Sequence, residues 1–74
     1  MDNETLRTLR FLLARLERIS ADSVVAHRAS GVRGAMLRAL DQLENGGHVP
    51  GPKLKRLIEH GYMLLQRAAE ERVR

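Results

Sequence analysis

The sequence predicts an all-α protein: a compact bundle of four helices, the second one short. Three observations carry that expectation. Apolar residues recur at spacings of three and four almost from end to end, no strand-like alternation interrupts them, and cap and turn residues cut the pattern into pieces of helical length.

The first helix is expected over about residues 3–19. Leu6, Leu9, Leu12, Leu13, Leu16 and Ile19 form one apolar stripe, and Asp2 or Asn3 can cap its start. A short second helix follows over about 21–29. Ser20 stands at its N-cap position, Asp22 lies in the first turn where a carboxylate suits the helix dipole, and Val24 and Val25 supply core contacts.

Ser30 is a further N-cap candidate, so a third helix is expected over about 31–44, with Val32, Met36, Ala39, Leu40 and Leu43 inward. Asn45-Gly46-Gly47 closes it, because both residue types accept the left-handed backbone that ends a helix. The loop 48–51 leads to Pro52, which the first turn of a helix tolerates, and the last helix is expected over about 52–72. Its inner stripe is Leu54, Leu57, Ile58, Gly61, Leu64, Leu65 and Ala68. If this helix projects past the bundle, its end could pair with a partner helix through Glu70, Glu71, Arg72 and Arg74 around Val73. Glycine inside a helix costs about 1 kcal/mol relative to alanine. Gly34 and Gly61 are therefore expected where the third and fourth helices come closest.

Seventy-four residues make a single domain, 1–74, whose core is small for an independently folding chain. The absence of cysteine excludes disulfide staples, thiolate zinc sites and cysteine nucleophiles. The first residues have neither a basic nor an apolar leader region, and no apolar run approaches the ~18 residues that span a bilayer. A soluble, cytoplasmic protein with no membrane partner is expected.

The net charge is +4, and eleven of the thirteen basic residues are arginine, with only Lys53 and Lys55 as lysines. The basic surface is thus made of planar forks that match carboxylates and phosphates two bonds at a time. Catalytic chemistry has little to work with. No two of His27, His48 and His60 stand at i, i+3 or i+4, so no metal site is expected, and Ser20, Ser23 and Ser30 read as caps and turn residues. The Gly31-Val32-Arg33-Gly34 turn neither follows a strand nor ends in Gly-Lys-Ser/Thr, unlike a phosphate loop. No enzymatic activity, catalytic residue, cofactor or small-molecule substrate is expected.

Phe11 is the residue that breaks the pattern. It points roughly 80° beyond Ile19 on a helical wheel, on a side shared with Arg7, Ala14, Arg15 and Arg18. An exposed ring among guanidinium groups is the composition of an interface anchor. Met63 lies opposite the inner stripe of the last helix, and Tyr62 stands near its edge with a hydroxyl free to reach water. The first functional expectation is a non-enzymatic protein–protein interaction module, an adaptor or self-assembly domain, binding another protein or its own copies through Phe11, Arg7, Arg15, Arg18 and Met63. The alternative is a small helix-turn-helix-like DNA-binding protein. Gly31 would then be the turn glycine, Val32, Leu37 and Leu40 the buried positions, and Arg33, Arg38 and Gln42 the groove-facing side chains of the third helix.

Overall fold

A computed structural model, which describes residues 3–72, contains three helices, not four: α1 (Asn3–Leu16), α2 (Ala26–Glu44) and α3 (Gly51–Arg72). Each packs against the other two, in a body of 43 × 18 × 17 Å. None of the described helices is long and apolar enough to cross a membrane.

In α1 the expected stripe is the buried one, with Leu9, Leu12 and Leu16 inside and Leu6, Leu13 and Ile19 packed at its margin. Asn3 is the first helical residue; Asp2 lies outside the described residues. The helix stops at Leu16 and not at Ile19, because its last turn tightens. The amides of Arg18 and Ile19 donate three residues back, to the carbonyls of Arg15 (3.1 Å) and Leu16 (3.2 Å).

The short helix expected over 21–29 is absent as a separate element. Residues 17–25 form successive turns, in which short polar side chains compete with the helical ladder. Ser20 Oγ accepts from the Asp22 amide and Ser23 Oγ from the Val25 amide, both at 3.2 Å. Val25 is buried as expected, but Val24 is 86% exposed and contributes nothing to the core.

The break expected at Ser30-Gly31 does not occur either, and α2 runs through it without interruption. Burial decides this. Val25, Ala29, Val32, Met36, Ala39 and Leu40 continue one buried stripe across the glycine. A full apolar side chain gains about 1.5–3 kcal/mol on burial, against about 1 kcal/mol for one helical glycine. The far end of α2 closes as the sequence predicts. Gly46 takes φ +77°, its amide reaches the Leu43 carbonyl (3.3 Å), and the Gly47 amide reaches the Gln42 carbonyl (2.7 Å), the paired bonds of a Schellman motif.

The start of α3 is fixed by Pro50, whose carbonyl accepts from the amides of Lys53 and Leu54, both at 3.1 Å. Val49 and Leu54 occupy the two positions of a hydrophobic staple, and both are buried. From there Leu54, Gly61, Leu64 and Ala68 face the core, with Leu57, Ile58 and Leu65 half-buried beside them. The core contains no buried polar or charged side chain among the described residues.

Gly61 is the close-approach glycine, and it faces two helices at once. A Cβ there would lie 2.7 Å from Met36 Cε of α2 and 3.3 Å from Leu12 Cδ1 of α1. Gly34 takes no part in this contact; a Cβ on it would meet only Arg38 Nη1, at 3.6 Å.

Candidate functional site

The helical period of α1 turns Leu9, Leu12 and Leu16 inward and leaves the next row, Phe11 and Arg15, facing the flank where α3 passes. Phe11 is 51% exposed, and the Arg15 guanidinium carbon lies 5.7 Å from its ring centroid, within cation–π range. The tightened turn after α1 then brings Arg18 and Ile19 to the same flank. From α3 come Tyr62, Leu65, Ala68 and Ala69. Together these residues line an open groove of about 330 Å³ along the α1–α3 seam. It opens where α3 passes from Tyr62 and Leu65 to two alanines, whose single methyl groups leave the space unfilled.

The charged side chains that line this groove are of one sign, and two carboxylates, Asp22 and Glu71, line the adjoining pocket that shares Ile19 and Ala68 with it. Arg15 and Arg18 are its charged lining residues, and no carboxylate lines it. Among the described residues the one ion pair joins Arg10 to Glu44 across α1 and α2, with both side chains about half exposed, so neither Arg15 nor Arg18 has an ionic partner there.

Three of the five residues expected at a protein-binding site thus meet at one place: Phe11, Arg15 and Arg18. Arg7 is exposed one turn before Phe11, on the approach to the groove and not in its lining. Met63, 36% exposed, is adjacent to Tyr62 in sequence but turned about 100° away from it around α3. It belongs to a different surface. What the sequence reading missed is the α3 wall. Its signal is present as Tyr62, Leu65 and Ala69, which recur at i, i+3 and i+7 beside the main stripe.

The residues of the DNA-binding alternative are arranged less favourably. The turn it required at Gly31 is continuous helix, and Leu37, one of its buried positions, is 50% exposed. Arg38 and Gln42 are exposed on α2, but Arg33 is half-buried and stands about 140° around the helix from Arg38.

A second groove, of about 640 Å³, lies where the start of α3 faces Thr5 of α1, and Val49, Leu54 and Ile58 line it together with His48, Lys55 and Glu59. No group of three metal-ligating side chains occurs among the described residues.

At the other end of the bundle the last turn of α3 is anchored and does not project. Glu71 accepts from the Ser23 hydroxyl (2.7 Å) and from the Val24 amide (2.9 Å). This places its carboxylate before the start of α2, where the helix dipole favours a negative charge. Val73 and Arg74, the outermost residues of the expected helical tail, lie outside the described residues. No known protein family, curated protein or solved structure matches this chain.

Proposed function

We propose that this chain is a non-enzymatic protein–protein interaction module, an adaptor or assembly domain, that works through the Phe11 groove. The observation that supports this reading is the half-exposed Phe11 ring, held under the Arg15 guanidinium at the mouth of a groove whose other wall is α3. A ring left half in water on a 74-residue chain with a small core forgoes stabilisation that its burial would bring. Covering that ring with a partner recovers it, and the flanking guanidinium groups give the contact its orientation.

The test compares wild type with Phe11→Ala in two assays: light scattering across concentration at low and high salt, and selection of a phage-displayed library of short random peptides. The wild-type chain should self-associate or enrich peptides, and the folded Phe11→Ala variant should do neither. Binding unaffected by Phe11→Ala, or an absence of both activities in the wild type, would overturn the proposal.

A further inference from the structure

The groove's charge distinguishes between the two kinds of occupant that an interaction module could take. We infer that its occupant is an acidic segment of a different protein, one apolar side chain flanked by carboxylates, and not a second copy of this chain. The inference rests on the interaction reading above and adds the chemistry of the partner.

The aliphatic part of the groove's lining is Ile19, Leu65, Ala68 and Ala69, whose side chains offer no hydrogen bond and so suit an apolar anchor. Its charged edge is Arg15 and Arg18, and no acidic residue lines it. Neither guanidinium has a carboxylate partner among the described residues, so each keeps its full set of N–H donors available. Arg7, exposed one turn before Phe11, extends the same positive flank along the path an extended or helical segment would take. A carboxylate on either side of the anchor would meet a planar fork of opposite charge.

A second copy fits poorly by the same reasoning. A two-fold contact centred on this groove would bring Arg15 and Arg18 of both copies, four guanidinium groups, into one interface between chains that each carry a net charge of +4. Such a contact brings like charges together as it buries the rings. Single-stranded nucleic acid would find two exposed rings, Phe11 and Tyr62. However, Arg7, Arg15 and Arg18 supply few contacts for a phosphate backbone that depends on many.

The experiment repeats the peptide selection with wild type and an Arg15→Gln/Arg18→Gln double variant as baits. Selected peptides are then measured by fluorescence anisotropy at low and high salt beside a mixed-sequence single-stranded oligonucleotide. The expected result is enrichment of peptides carrying two or more Asp or Glu around a Leu, Met, Phe or Trp. Their affinity should fall about tenfold or more in the double variant, fall with added salt, and fall about thirtyfold in Phe11→Ala.

Neutral or basic peptides that bind wild type and double variant alike would overturn the acidic partner and leave the interaction reading standing. Concentration-dependent self-association that Phe11→Ala abolishes, with no peptide enriched, would do the same in favour of a second copy. Tighter binding of the oligonucleotide than of any peptide, lost in Phe11→Ala, would overturn the acidic partner in favour of nucleic acid. A wild-type chain with no Phe11-dependent binding of any kind would remove both the inference and the reading beneath it.

Discussion

The α-carbon of Gly61 faces the terminal methyl of Met36 so closely that a Cβ on the glycine would stand 2.7 Å from it. Both residues are buried, Met36 completely, and Leu12 closes the third side at 3.3 Å. Three helices therefore meet at a point where one of them has no side chain.

Gly61→Ala tests that meeting point. Alanine gains about 1 kcal/mol of helix propensity but forces a displacement in a filled core, which costs about 1–3 kcal/mol. The net change should be destabilising by roughly 1 kcal/mol, read as a lower urea midpoint at constant slope. Met36→Val removes the methyl in the way, so Gly61→Ala should be less costly in that background than alone. Strict additivity of the two changes would show that the residues do not touch.

The second prediction concerns α2. With nothing within 4 Å of its Cβ position, Gly31 sits on an exposed, open face of continuous helix. Gly31→Ala should raise stability by about 0.5–1 kcal/mol, through helix propensity and a less flexible unfolded chain. A turn at this position would make alanine neutral or harmful, so thermal unfolding of this single variant discriminates between one helix and two.

The same residue shows how far the fold was legible. The inward faces of all three helices follow from apolar spacing, and Asn45-Gly46-Gly47 announced its own turn. The count of helices did not follow, because Ser30-Gly31 resembles a boundary locally. The stripe Val25, Ala29, Val32 and Met36 keeps its phase across that boundary, and many buried contacts outweigh one flexible residue. Serines at 20 and 23 show the converse. Ser20, read as the N-cap of a short helix, holds a turn through its own side chain instead, and Ser23 holds the next. For the groove, one wall was legible as Phe11 with Arg15 and Arg18. The α3 wall was not, because which flank of α3 meets which flank of α1 depends on the three-helix packing and not on either helix alone.

The third prediction tests the link from Glu71 to the turn before α2. Glu71→Ala removes the acceptor for the Ser23 hydroxyl and the Val24 amide, and should cost about 1 kcal/mol given its partial exposure. Hydrogen exchange at the Val24 amide should accelerate by more than that at core amides such as Met36. Ser23→Ala in the Glu71→Ala background should cost less than it does in the wild type, since the shared bond is already gone. Unchanged exchange at Val24 would mean that the carboxylate does not hold that turn in solution.

Phe11 and Leu12 are neighbours in sequence with opposite positions in the fold, and their alanine variants separate the site from the core. Leu12 is completely buried, so Leu12→Ala should cost about 2–5 kcal/mol, through lost burial and the cavity left behind. A chain of this length has a total stability of roughly 4–11 kcal/mol, so that variant should melt far lower or fail to fold. Phe11 is half in water, under the Arg15 guanidinium at the surface and outside the buried core cluster. Phe11→Ala should cost about 1 kcal/mol or less, the scale of an exposed cation–π contact with modest burial. The informative quantity is the difference between the two. If Phe11→Ala costs as much as Leu12→Ala, the ring is part of the core in solution and the groove beside it is closed. If Phe11→Ala melts close to wild type while its complexes are lost, the ring is kept for a partner, since its contribution to the isolated fold would not account for it.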